Sequence, residues 1–259
     1  MTDTPRIPAP APPRHGPLVL GHRGASADAP ENTLAAFRLA LAQGADGVEL
    51  DVWRCATGEV VVFHDEDTRR LAGVSKVVPD ASYRELQALD VGAWKGSRFA
   101  GERIPRLEEA LEAMPGAVIN VELKSRGGEA ELARAAAEIL RTARAEERVV
   151  VSSFDWRLVA AFQAAAPRIP VGLLFEGSRA WRLRVAAGSR LLAPQALHPD
   201  RALVTPERVR AWKRRGLAVN VWTVDDPAEL RRLAELGVSA VITNVPARAV
   251  EALRGAGRP

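Results

Sequence analysis

The sequence is poor in the residues that carry redox and thiolate chemistry: its 259 residues include one cysteine, one tyrosine, two methionines and four histidines. A single cysteine, Cys55, excludes an internal disulfide and any cysteine cluster for zinc, and it fits a reducing, cytoplasmic setting. It reads as a packing residue. Long apolar runs are missing too. None approaches the roughly 18 residues of a membrane span, so a soluble chain without stable membrane insertion is expected. An excess of one charge is also lacking. The 36 Lys and Arg nearly match the 32 Asp and Glu, leaving a net charge of +4. The interleaved "GGEAELARAAAEILRTARAEER" reads as the solvated face of an Ala-rich helix rather than a basic stripe, so nucleic-acid binding is not expected. The first 16 residues, "MTDTPRIPAPAPPRHG", are rich in proline and lack the apolar core of a signal peptide. They predict a disordered tail over 1–16 ahead of one domain spanning 17–259.

What the chain has is apolar content, 47% of residues, arranged in a rhythm. From residue 17 short apolar runs alternate with longer helical patterns. "LVL" at 18, "GVELDV" at 47, "AVINVEL" at 117, "RVVVSS" at 148, "PVGLLF" at 170, "RLLAP" at 190, "LAVNVWT" at 217 and "SAVITN" at 239 make eight candidate strands. The helical patterns carry the punctuation helices need. "ENTLAAFRLALAQG" ends at Gly44, and "PAELRRLAELG" opens on Pro227 after Asp226 and closes on Gly237. Eight strand-then-helix repeats predict an α/β fold, a (β/α)8 TIM barrel, rather than a doubly wound sheet. Residues 53–104 break the rhythm: "GEVVVFHDED" reads as an extra strand and "SYRELQAL" as a short helix. They predict a small insertion after the second strand, about 65–104, over the catalytic end of the barrel.

Side chains alternate along a strand. In "GVELDVW" the apolar Val48, Leu50 and Val52 must face the surrounding helices, which turns Glu49 and Asp51 toward the barrel axis. In "VINVELK" the same parity turns Asn120, Glu122 and Lys124 inward. Three carboxylates and one ammonium need partners when buried: either internal ion pairs or a bound cation. With one lysine beside three acids the balance favours a cation. All-oxygen ligands select one hard divalent ion, Mg2+ or Ca2+, with Mn2+ the alternative, over zinc. His22 and Arg23 follow the first strand and reach the same rim, and His64 follows "EVVVF" with Asp65 placed to orient its ring. Two histidines whose unperturbed pKa lies near working pH can divide proton transfer into base and acid. Arg23 offers a fork for two phosphate oxygens and Lys124 a point charge. Such a set is suited to a pentacoordinate phosphorane.

Other polar positions read more plainly. In "APENT", Asn32 or Thr33 caps the first helix, Pro30 fixes its entry, and Glu31 sits favourably near a helix N-terminus without being a ligand. His15 falls in the tail, and His198 in "ALHP" is expected at the rim. Asn220 and Trp222 share one parity and face inward. Trp222 either packs against the carbon skeleton of a small polyol or plugs the barrel.

These residues, in this order, resemble the glycerophosphodiester phosphodiesterase family. The matching pieces are "GHRG", "PENT", "GVELDV", "VVFHD", "GERIPRLEEAL", "VELK", "VNVWTVDD" and "GVSAVITNVP", spread over residues 18–248. The resemblance implies a TIM barrel that hydrolyses glycerophosphodiesters to sn-glycerol 3-phosphate and an alcohol. It implies His22 and His64 as the general acid/base pair, and Glu49, Asp51 and Glu122 as ligands of a divalent metal. It further implies Arg23 and Lys124 as phosphate-binding cations and Trp222 as a contact for the glycerol. One route proposed for the family has the glycerol 2-hydroxyl attack phosphorus first, giving a cyclic phosphate that water opens; direct attack by water is the other. One position departs from the pattern: Asn244 stands where the family more often has Asp before the proline.

Three rival readings make distinct demands. A phospholipase acting on intact lipids calls for apolar loops at a membrane, for which Trp94 and Phe99 are sparse material. A metal-dependent amidohydrolase calls for two histidines one residue apart after the first strand, whereas His22 is followed by Arg23 and Gly24. A noncatalytic binding barrel calls for a lost histidine or carboxylate, and none is lost. The expected partner is thus a small-molecule glycerophosphodiester.

Overall fold

A computed structural model describes residues 16–126, 130–177 and 192–255; the tail that contains His15 lies outside the described residues. Eight parallel strands close into a barrel: β1 (Leu18–His22), β2 (Gly47–Arg54), β4 (Val118–Leu123), β5 (Val149–Ser153), β6 (Val171–Phe175), β7 (Ala196–Pro199), β8 (Ala218–Val221) and β9 (Ala240–Thr243). A short β3 (Val60–Val62) pairs antiparallel with the end of β2. The barrel closes because β1 pairs with both β2 and β9. This is the (β/α)8 barrel that the strand–helix rhythm predicts.

Helices α1 (Leu34–Ala42), α4 (Leu107–Ala113), α5 (Ala130–Thr142), α6 (Trp156–Ala165), α7 (Pro206–Arg214), α8 (Pro227–Leu236) and α9 (Pro246–Arg254) surround the strands. Their ends follow the sequence. Thr33 caps α1 by accepting from the Ala36 N–H, Asp226 caps α8, and Gly237 closes α8 in the left-handed region at φ 73°. On α5, Leu132, Ala133, Ala136, Ala137 and Leu140 are buried and the charged residues face outward.

The main core lies between barrel and helices. Val48, Leu50, Val52, Ile119, Val121, Leu123, Val149 and Val151 fill it from the strand side, each contributing about 1.5–3 kcal/mol by burial. β2 approaches β4 closely because it begins with Gly47; a Cβ there would lie 1.7 Å from the Val118 carbonyl oxygen. Among the described residues, no helix is long and apolar enough to cross a membrane.

Between β2 and α4 the chain adds β3 and two short helices, α2 (Arg69–Ala72) and α3 (Tyr83–Gln87). They pack a second small core of Trp53, Cys55, Val61, Phe63, Leu71, Val78, Leu86, Val91 and Ile104. Cys55 is a buried packing residue there.

The sixth barrel strand departs from the sequence reading. It is Ala196–Pro199, not "RLLAP" at 190–194, whose described residues 192–194 are not in a strand. Its sequence, ALHP, carries a histidine and a proline and shows little strand character, while the preceding apolar run attracts the assignment.

Candidate functional site

Strand register assembles the polar face. His22 at the end of β1 is level with Glu49 on β2, and Asp51, two residues further, is level with Glu122 on β4. The three carboxylates are buried, and one oxygen from each lies within 4.8 Å of the others.

Their charges are unequally compensated. The Lys124 ammonium lies 2.7 Å from Glu122 Oε1 and 3.1 Å from Asp51 Oδ1, and Arg23 Nε lies 3.3 Å from Asp51 Oδ2. Asn32 Nδ2 also donates to Asp51 at 2.8 Å. Although burial opposes it, these two cations hold the Asp51 carboxyl well below the usual range. Glu49 is helped less, because Arg23 and Lys124 act on it only from a distance. Its contacts are the Arg23 backbone N–H at 3.2 Å and His22 Nε2 at 3.9 Å; among the described residues, no lysine or arginine side chain forms an ion pair with it. Burial, together with repulsion from Asp51 and Glu122, pushes the Glu49 carboxyl well upward, and burial raises Glu122. The sequence offered ion pairs or a cation as alternatives. The ion pairs form, yet they leave Glu49 without a cationic side-chain partner, and the all-oxygen donor set fits a hard divalent cation.

The two histidines face this cluster from separate elements with different partners. His22 Nδ1 donates to Asn244 Oδ1 at 2.7 Å, leaving Nε2 toward Glu49. The amide of Asn244 is itself held, because Nδ2 donates to Asp225 Oδ2 at 2.7 Å and Ser26 Oγ donates to Oδ1 at 2.9 Å. His64 Nδ1 donates to Asp65 at 2.7 Å, and Arg70 grips Asp65 and Glu31 from the insertion side. Burial and the charge of Arg23 lower the His22 pKa to about 4; burial lowers that of His64 as well.

A small cavity of about 60 Å³ is lined by His22, Arg23, Glu49, His64, Glu122, Lys124 and Trp222, with Asp51 behind it against Lys124 and Arg23. All eight predicted site residues therefore meet in one place. The "PENT" segment does more there than cap a helix. Glu31 accepts from Arg23 at 2.8 Å, and Asn32, at φ 55°, reaches Asp51. Arg23 itself sits at φ 56°, a left-handed conformation that costs a non-glycine residue of order 1–3 kcal/mol and recurs at working sites.

The model of the glycerophosphoryl diester phosphodiesterase family matches residues 22–248, from His22 to beyond Asn244. The chain belongs to that family. A glycerophosphodiester phosphodiesterase of Caldanaerobacter subterraneus is 35% identical over 249 residues, covering 93% of this chain and 99% of the relative. The crystal structure of the Thermotoga maritima glycerophosphodiester phosphodiesterase aligns with a TM-score of 0.74 at 31% identity, over 92% and 99% of the two chains. The structure of an Oleispira antarctica phosphodiesterase in complex with its product sn-glycerol-3-phosphate aligns with a TM-score of 0.82 at 31% identity, over 92% and 96%. The chain is thus an enzyme of the phosphoric diester hydrolase class.

Four residues of the phosphodiesterase site escape a reading of strand parity: Glu31, Asn32, Asp225 and Asn244. All act through side chains from loops distant in sequence, and Asn244 meets His22 across 222 positions. The "PENT" motif and the departure at Asn244 are the sequence signals that point to them.

His198 requires a correction. It is not at the rim but fully buried on β7, where Nε2 accepts from Asn220 Nδ2 at 3.2 Å and Nδ1 makes no hydrogen bond. Gly172 on β6 makes room for the ring, since a Cβ there would stand 2.4 Å from His198 Nε2. Burial lowers its pKa to about 3. The unfolded chain takes up this proton near pH 6.5 and the folded chain only near 3, so the stability His198 contributes at neutral pH is lost as pH falls between them. Urea unfolding is expected to show about 2–3 kcal/mol of this loss between pH 7 and 4.5, and His198→Gln to remove that component. Identical pH slopes in the two proteins would contradict the assignment.

Proposed function

We propose that this chain hydrolyses glycerophosphodiesters to sn-glycerol 3-phosphate and an alcohol, with His22 and His64 as base and acid. One divalent cation, Mg2+, Ca2+ or Mn2+, would be held by Glu49, Asp51 and Glu122. The observation that carries this reading is the meeting of two histidines, each bound through Nδ1, with two cations and a carboxylate triad around one cavity.

The roles follow from the partners. His22, bound to a neutral amide, is held as a neutral ring with Nδ1 protonated, so its Nε2 lone pair can take the proton of the attacking hydroxyl. As the new P–O bond forms, from water directly or from the glycerol 2-hydroxyl to give a cyclic phosphate that water then opens, the P–O bond to the alcohol breaks, and His64 Nε2 donates a proton to the departing oxygen. Asp65 steadies the His64 imidazolium from the other nitrogen, and the anionic diester favours that charged form on binding. Arg23 and Lys124 bind the phosphoryl oxygens. When bound, the cation supplies charge neutralisation at a phosphoryl oxygen. Trp222 lies against the glycerol, its indole N–H anchored 2.7 Å from the His198 carbonyl.

Phosphorus NMR of a reaction on glycerophosphocholine tests the reading, because it tells which ester bond breaks. Release of sn-glycerol 3-phosphate and choline is expected. Phosphocholine and glycerol as products, or turnover confined to intact phospholipid vesicles, would overturn it.

A further inference from the structure

A second, larger cavity opens off the reaction centre. It has a volume of about 440 Å³ and lies beyond the ends of β4 and β5, sharing Glu122, Lys124 and Phe154 with the small cavity around the histidines. Phe154 separates the two, its ring edge-to-face with Trp222 at 5.5 Å. With glycerol on the Trp222 side, the departing alcohol has the larger space on the other side of Phe154. Trp53 helps wall that space and ties it to His64, whose carbonyl accepts from the Trp53 indole N–H at 3.2 Å.

The charges around this cleft define what it can take. Aromatic walls alone would suit a quaternary ammonium. Here, however, the Arg157 guanidinium lies 5.7 Å from the centre of the Trp156 ring, already placing a cation on that surface. Among the described residues, no carboxylate forms an ion pair with Arg157. The nearby acid, Asp155, is occupied at the start of α6, where it accepts from the Arg157 backbone N–H at 2.9 Å and stands 3.5 Å from Ser125 Oγ. Arg126, which also lines the cleft, is held by Glu66 and Asp80 of the insertion. The other acid of the cleft, Glu122, is engaged by Lys124, which it shares with Asp51. A cationic alcohol therefore meets like charge, and an anionic one meets an arginine fork.

We propose that this cleft receives the leaving alcohol and selects alcohols that carry an anionic group, with Arg157 as the residue that reads it. The proposal rests on the hydrolysis reading above. It names the substrate class: glycerophosphodiesters whose alcohol bears a phosphate or carboxylate, ahead of neutral polyols and ahead of choline.

The test compares kcat/KM for glycerophosphoinositol 4-phosphate, glycerophosphoglycerol and glycerophosphocholine, with Mg2+ and about 50 mM salt. The order anionic, neutral, cationic is expected, with about a tenfold span that shrinks to under threefold at 0.5 M salt because Arg157 is exposed. Arg157→Glu should reverse the order between the inositol phosphate and choline esters. That change places a carboxylate in the first turn of α6, where it is favourable, so folding is retained. Equal kcat/KM values, or a preference that Arg157→Glu leaves intact, would overturn the cleft while leaving the hydrolysis reading standing. Absence of turnover on all three esters would overturn both.

Discussion

Replacing His22 with alanine is expected to lower kcat about 10³-fold, within the roughly 10²–10⁴ range that a positioned proton-transfer group supplies. The fold should survive, because the side chain is 19% exposed and packs at the cavity wall rather than in the core. His64→Ala should match that loss on a choline ester. A p-nitrophenyl ester separates the two roles. Its leaving oxygen departs without a proton, so the His64→Ala deficit should shrink by at least tenfold while the His22→Ala deficit stays. Asn244→Ala should cost about 10-fold in kcat with little change in KM, since it frees the His22 ring to turn and change tautomer. Steady-state kinetics on folded variants, checked by circular dichroism, measures all three. A His22→Ala enzyme within twofold of wild type would remove the assignment of the base.

Glu49→Gln is expected to lower turnover sharply, with partial recovery in excess cation, and, in EDTA, to raise the melting temperature. The two effects share a cause. Glu49 is buried beside Asp51 and Glu122 and, unlike them, has no cationic side chain as partner. An amide removes the cost of burying this carboxyl in the metal-free protein, where it must either be repelled by its neighbours or take up a proton, and each kcal/mol of relief moves Tm by about 2–4 °C. In excess Mg2+ the order should reverse, because binding to the folded state stabilises the wild type by mass action and the variant far less. Asp51→Asn should behave oppositely in EDTA. It weakens a carboxylate that Lys124 and Arg23 both engage, and breaking a buried pair costs about 3–5 kcal/mol. Paired melting curves with EDTA and with Mg2+ decide the matter. A Glu49→Gln protein less stable than wild type in EDTA would contradict the charge account.

Most of the site was legible because strand parity is a strict code. Val48, Leu50 and Val52 must face helices, so Glu49 and Asp51 must not, and the same rule aligned Glu122 and Lys124 beside them. The rule fails where a strand hides its pattern. Residues 196–199 are buried throughout and include a histidine and a proline, so neither alternation nor composition marks them. Their histidine is tolerated inside the barrel only because Gly172 on the neighbouring strand leaves space for it. Parity is also silent about loops. That Asn244 orients His22, or that Asn32 braces Asp51, depends on barrel closure between β1 and β9 and on a left-handed turn at Asn32. Both are tertiary facts, and the sequence marked them only by the unusual Asn244 and by the "PENT" motif.

The measurement that tests the central claim most directly is release of sn-glycerol 3-phosphate by protein stripped with EDTA and then titrated with Mg2+, Ca2+ or Mn2+. The site described here predicts no release from stripped protein, recovery with at least one of these ions, and a half-saturating ion concentration that rises for Glu49→Gln and Glu122→Gln. Full activity in the stripped wild-type enzyme, or titration curves unchanged in those variants, would contradict it.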